Sequence, residues 1–386
     1  MQRRETFLDL LRELRNAEKK REIPRIIAYN RIDGPGSSLD LREFQQSMWR
    51  WQQRLPKDLY SDPSMKWSKG FPRTIGITID SGTIIEAHPL EPGKLGIKSI
   101  EYRIEHIKET GKIPPRKEYW LLKAMEIFGL DGVLFKLYNI KPGTRSAGLG
   151  GSATATTGVC LLANKLSNAN FTETQIVAMA SRLEQDLSVS ITGTQEQSNV
   201  VFGGIMDYIW FPWGIPGTSD SFGASVRTML LDENQYEEIF KRLLIYHTGN
   251  ERASSDVNTV WVNKLAEDEG YSLHLQKLDI AYNFREGIRF QNWEQMFNSI
   301  KQYQQIRTKL CTAYMSKECW EIEGRCEKHN AVSFPLGAGG GGTVMIFATD
   351  PHNTLQLSKE LNGLYLKIDF NIMPHGHKFE NISAFE

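Results

Sequence analysis

Residues 334–348 read FPLGAGGGGTVMIFA, and residues 148–158 read GLGGSATATTG. Five glycines stand within 337–342. Glycine loses more conformational freedom on folding than any other residue, so such a cluster implies positive φ or close approach by a neighbour. The apolar FPL before it and the strand-like TVMIF after it exclude a flexible linker. The earlier loop lies between a strand-like run, GVLFKLYNI at 132–140, and a helix-like run, SATATTGVCLLANKL at 152–166. The N–H groups and positive dipole end of such a helix suit a phosphate.

Gly148, Gly150 and Ala153 formally satisfy the dinucleotide fingerprint G-x-G-x-x-G/A. That fingerprint needs a strand running directly into the first glycine. Lys141–Ala147, with Pro142, intervene here, and the sequence beyond offers helix after helix. A Walker loop fails because Leu149 stands where the lysine must be. Two readings stay open from the residues alone. One is a phosphate loop of another kind, with Ser152 as the first hydroxyl of the helix. The other is a tight turn that lets the helix pack closely.

The wider chain has 386 residues, 46 basic against 46 acidic, with 40% hydrophobic and 24% charged. These fractions exclude a disordered or collagen-like chain, and the neutral balance argues against nucleic-acid or membrane partners. The length suggests two domains. Cys160, Cys311, Cys319 and Cys326 match no zinc spacing and read as free thiols of a reducing, cytoplasmic compartment. No apolar run of signal or membrane-spanning length occurs, in keeping with that location. Phe7, Leu8, Leu10, Leu11 and Leu14 give residues 1–23 one apolar helical stripe, for packing on its own domain or in a homodimer.

Strands are expected at 26–33, 94–100, 102–107, 132–140, 204–211, 242–249, 343–349 and 364–373. A hairpin is expected about Asp80-Ser81-Gly82, joining 73–79 to 83–89. Helices are expected at 117–130, 152–166, 172–187 with Thr172 and Gln175 as a capping box, and 354–361. Two or three more are expected before Asn330. SITGTQEQSNVVFGG at 190–204 reads as a polar connection, and WGIPGTSDSFGAS at 213–225 as a boundary.

From about Pro24 to its end, the chain resembles the GHMP kinase superfamily. Pro142–Ala153, PGTRSAGLGGSA, resembles the family's P-x3-GLGSSA with a longer lead and Gly151 for the first serine. GAGGGG at 337–342 resembles its C-terminal loop. Ala28-Tyr29-Asn30-Arg31-Ile32 resembles its A-P-x-R-I, with Tyr29 for the proline. Gly193-Thr194-Gln195-Glu196-Gln197 before VVFGG resembles the G-x-Q-D-Q of heptose-phosphate and fucose-type sugar 1-kinases, with glutamate for aspartate. HTGNERASSD at 247–256 resembles their Y-T-G-x-x-R-x-S segment.

The resemblance implies an α+β, two-domain fold: a ribosomal-protein-S5-like α/β domain at 24–215 and a ferredoxin-like α+β domain at 216–386. It implies ATP and Mg²⁺ as cofactors, with transfer of the γ-phosphoryl group to a hydroxyl, anomeric in the sugar 1-kinases, of a sugar or sugar phosphate. Gly148, Leu149, Gly150, Gly151, Ser152 and Ala153, with Gly339, Gly340 and Gly341, would hold the nucleotide. Ser152 and Glu184 would hold the metal. Glu196 would accept the substrate proton, with Arg31 neutralising charge beside it. Asp40, Arg145 and Arg252 are candidates for the substrate, the arginines because a guanidinium suits a phosphate. A related decarboxylase and a silent ligand-binding protein are the competing readings.

Overall fold

The computed structural model describes residues 22–52, 70–100, 103–141, 148–211, 224–250 and 254–383. The chain is a two-domain α+β molecule built on two sheets. The larger sheet has eight strands: β1 (Glu22–Asp33), β2 (Arg73–Pro89), β3 (Lys94–Ser99), β4 (Ile104–Glu109), β5 (Val133–Asn139), β6 (Ile205–Phe211), β7 (Ala224–Met229) and β12 (His377–Ser383). Their main order is β12-β1-β2-β5-β3-β4, with β6 and β7 branching from the first half of β2. Among the described residues of this sheet only β3 and β5 pair parallel; the other pairs are antiparallel. The smaller sheet, antiparallel throughout, orders β11 (Leu366–Lys367), β8 (Leu243–His247), β10 (Thr343–Ala348) and β9 (Ala331–Pro335).

Helices α1 (Arg42–Gln52), α2 (Trp120–Ile127), α3 (Gly151–Ser167), α4 (Glu173–Asp186) and α5 (Gln195–Phe202) belong to the first half of the chain. Helices α6 (Tyr236–Phe240), α7 (Ser254–Lys264), α8 (Asp268–Arg289), α9 (Trp293–Leu310), α10 (Lys317–Lys328) and α11 (Pro351–Leu361) belong to the second. Among the described residues no helix is long and apolar enough to cross a membrane.

Helix α3 packs on β1 and β2 through small side chains. A Cβ at Gly158 would stand 2.8 Å from Ile85 Cδ1 and 3.1 Å from Ala28 Cβ. The run Ala153–Gly158 is therefore a close helix–sheet contact, and it holds the start of α3 against the strand that carries Arg31. Thr172 caps α4 through the expected capping box with Gln175.

The hairpin expected about Asp80-Ser81-Gly82 is not formed. Residues 73–89 are one strand, and the irregularity belongs to its pairing with β1, where the register shifts between Tyr29 and Asn30. Asp80 and Ser81 are bulged out, and Gly82, at φ +152°, lies so close to Ala28 that a Cβ would collide with its carbonyl. The polar connection expected at 190–204 contains helix α5, and the strand expected at 364–373 is reduced to β11. Strand β12, unread in the sequence, pairs with β1 through seven positions. β6 and β7, which flank the expected 215/216 division, also pair. Residues beyond 216 thus supply two strands of the larger sheet.

Candidate functional site

The two glycine loops meet. A Cβ at Gly148 would stand 2.9 Å from the Leu336 carbonyl, and one at Gly337 would stand 3.0 Å from the Gly148 carbonyl. Asp33, at the end of β1, accepts the Gly337 N–H at 3.0 Å and lies 3.4 Å from the Arg31 guanidinium. The 337–342 loop is held further by bonds from Gly340 N–H to the Tyr314 carbonyl (2.7 Å) and from Gly342 N–H to the Asn250 carbonyl (2.7 Å). A Cβ at Gly339, which has φ +83°, would enter the Tyr314 ring.

Between the loops and α4–α5 opens a cleft of about 600 Å³. Gly148, Gly150, Gly151, Ser152, Ala153, Gly339 and Gly341 line it, together with Arg31, Asp40, Glu184 and Glu196. Leu149 and Gly340 do not. The Leu149 side chain is 1% exposed and turned into the core, and Gly340 is spent on Tyr314. Arg145 and Arg252 lie outside the described residues, so the structure does not place them. Lys117 and Trp120, which sequence reasoning passed over, line the cleft, as do Ser37, Ser38, Asn258 and Trp261.

Arg31 is almost fully enclosed. Its Nη1 donates to the Gly148 carbonyl at 2.9 Å and its Nη2 to Glu196 Oε1 at 2.5 Å. Burial opposes the charge, but Asp33 and Glu196 outweigh it and hold the guanidinium more firmly protonated than usual. Glu196 keeps 23% of its side chain exposed to the cleft, and its Oε2 accepts from Thr192 Oγ1 at 3.3 Å. It stands in the first turn of α5, where the helix dipole favours a carboxylate.

Glu184 is fully buried on α4 and accepts from Ser152 Oγ, Thr156 Oγ1 (3.1 Å) and Gln197 Nε2 (2.9 Å). Burial pushes its carboxyl up to about 7; the nearby Glu196 charge adds to this, and the three donors pull against it. Thr156 and Gln197 stood within the motifs read in the sequence but were given no role there, although Thr156 sits one turn after Ser152. Asp40 follows β1 and accepts the Thr194 and Gln195 N–H groups through Oδ2, both at 2.9 Å. Burial, then the Glu196 charge, raise Asp40 to about 6 against those two amides.

Gly150 caps α3 without a side-chain bond, at φ +82°, and a Cβ there would stand 3.1 Å from Glu196 Cγ. The start of α3 is thus kept clear, facing Glu196 and Arg31. Ser152 and Glu184 set two oxygen ligands side by side at that helix start, a donor set that suits a hard divalent cation. Among the described residues no group of three or more His, Cys, Asp or Glu forms a metal cluster. A cation there would depend on ligand oxygens for the rest of its shell.

Residues 119–204 match the family described as GHMP kinases N terminal domain. No curated protein matches the chain by sequence. Among solved structures, the Methanococcus jannaschii mevalonate kinase aligns with a TM-score of 0.61 at 17% identity, over 90% of this chain and 98% of its own. The Lactococcus lactis galactokinase complexed with galactose aligns at 0.61 and 13% identity, over 97% and 100%. A D-glycero-D-manno-heptose 1-phosphate kinase from Bacteroides thetaiotaomicron aligns at 0.56 and 15%, over 93% and 99%. These matches bear out the GHMP resemblance and the fold class it implied.

Proposed function

We propose that this chain, with the fold and N-terminal domain of the GHMP kinases, transfers the γ-phosphoryl group of ATP to a hydroxyl of a sugar or sugar phosphate. One observation carries the reading: Glu196, exposed to the cleft and fixed by Arg31, faces the unobstructed start of α3. Phosphoryl transfer asks mainly for positioning and charge stabilisation.

The start of α3, Gly148, Gly150 and Gly151 fit a polyphosphate, since a side chain at Gly150 would fill the space in front of Glu196. Ser152 and Glu184 would hold Mg²⁺, which supplies neutralisation of phosphate charge when bound. Glu196 takes the proton of the acceptor hydroxyl at its cleft-facing carboxylate. Arg31, tied to Gly148 and Asp33, keeps that carboxylate aimed and places positive charge beside the reacting groups. Asp40 and the residues around it form the acceptor end.

An ADP-release screen over hexoses, heptoses, their phosphates and polyols tests the reading, with NMR of the product to locate the phosphate. ADP formation tied to a phosphorylated sugar is the expected result. Carbon dioxide release with ADP would move the chain to the decarboxylase reading. Nucleotide binding with no turnover on any acceptor would leave a silent binding protein.

A further inference from the structure

Lys277, on α8, is fully buried, and its ammonium or amine reaches the cleft wall from behind. Its Nζ lies 2.7 Å from Ser38 Oγ and 3.5 Å from the Ser37 carbonyl. Ser38 lines the cleft and holds φ +75°, an uncommon conformation for a residue with a side chain. Several groups face Lys277. Arg307 approaches from α9, and Asp40 from the loop after β1. His274 lies one turn back on α8, and the Trp261 ring on α7 is 5.8 Å away. Tyr303 on α9 donates to the Ser37 carbonyl at 3.0 Å.

Burial, then the Arg307 charge, push the Lys277 amine well below its ordinary range, and Asp40 only partly opposes them. Burial, more than any neighbouring charge, lowers His274 to about 2. A lone buried amine is a costly brace for a turn. As a neutral base on a hydroxyl it has the arrangement of an activated nucleophile.

We propose that Ser38 and Lys277 form a nucleophilic dyad in the cleft, Lys277 Nζ taking the hydroxyl proton as Ser38 Oγ attacks phosphorus. With ATP as donor and the acceptor sugar absent, the Oγ–P bond forms and the bond from the γ-phosphorus to the bridging oxygen breaks. ADP leaves with that electron pair, the proton rests on Nζ, and phosphoserine stands at position 38. The ATP step rests on the function proposed above; the dyad itself does not. A fluorophosphonate tests it separately: Oγ–P forms, P–F breaks, and fluoride leaves.

The full chain is incubated, without sugar, with Mg-ATP in one arm and a fluorophosphonate in the other, and Ser38 adducts are followed by peptide mass spectrometry. Adducts at Ser38 in both arms are expected. Lys277→Met should slow them about 10²-fold, the usual worth of a positioned base. Lys277→Arg should slow them as much, because it can still donate to Ser38 Oγ but never becomes a neutral base. A purely structural lysine would let Lys277→Arg label at the wild-type rate. Thermal unfolding confirms that each variant is folded, and the Met variant carries the test should the Arg variant not fold. No Ser38 adduct in either arm, or a rate indifferent to Lys277→Arg and Lys277→Met, overturns the dyad. A fluorophosphonate adduct without phosphorylation upholds the dyad and counts against the ATP reading.

Discussion

Glu196 carries one methylene more than the aspartate of the motif it resembles, and its carboxylate meets the Arg31 guanidinium at 2.5 Å. Because Arg31 is itself anchored to the Gly148 carbonyl, the carboxylate is positioned from the loop that leads into α3. Glu196→Gln keeps the shape and loses the base, so turnover should fall about 10²–10⁴-fold. Calorimetric ATP affinity should stay near wild type; unchanged turnover would remove Glu196 from the chemistry. Glu184 behaves differently. Its carboxyl is raised from 4.5 to about 7 by burial, so the folded state favours the protonated form. The stability this gives is complete below about pH 4.5 and is lost as pH rises through about 7, at up to about 1.4 kcal/mol per pH unit. Glu184→Gln should therefore melt higher than the wild type at pH 8 without ligand, and the difference should vanish at pH 5. The same variant should lose Mg²⁺-dependent stabilisation by ATP. A melting difference that does not change with pH would contradict the assignment.

At the scale of elements, α5 is capped from a distance. Thr194, at its N-cap, makes no side-chain bond, and Asp40 accepts the amides there instead. Gly193 leaves room for this, since a Cβ would collide with the Asp40 carboxylate. Asp40→Ala should cost about 1 kcal/mol in denaturant unfolding, the usual worth of a helix cap. A larger loss would mean that the buried start of α5 cannot find water in its place. Gly339→Ala meets both the Tyr314 ring and a positive φ, and should cost about 1–3 kcal/mol by the same measurement.

Helix α3, helix α4 with its capping box, β5 and β10 were legible in the sequence because local periodicity and caps agree with their packing. Helix α5 was not, because its cap lies 154 residues away in sequence and QEQSNVVF sets five polar residues before three apolar ones, without a helical stripe. The bulge opposite Tyr29 was read as a turn, since Asp-Ser-Gly suits both and only pairing with β1 distinguishes them. Ser152, Glu196 and Arg31 stood in separate motifs of the sequence, and Glu184 was pointed to only by the resemblance. The contacts that join them through Asp33, Thr156 and Gln197 depend on the fold.

Across the whole molecule, β1 lies between β2 and β12, so the strand that carries Arg31 is held on one side by residues 377–383. Gly376 packs its backbone on Asn199 and Val200 of α5, where a Cβ would collide with both carbonyls. Deleting residues 374–386 should lower the melting temperature and weaken ATP binding together. A truncated chain that binds ATP as the full one does would show β12 to be dispensable for the cleft. The pairing of Glu22 with Ser383 also sets an order on biosynthesis. During translation β1 emerges long before β12 and waits, with one edge bare, until residues 377–383 have been made. An exposed edge strand is a template for pairing with other chains, and long-range pairings form late. A ribosome stalled before β12 therefore releases a nascent chain whose β1 is open to aggregation, and the finished cleft marks a copy in which β12 has been made.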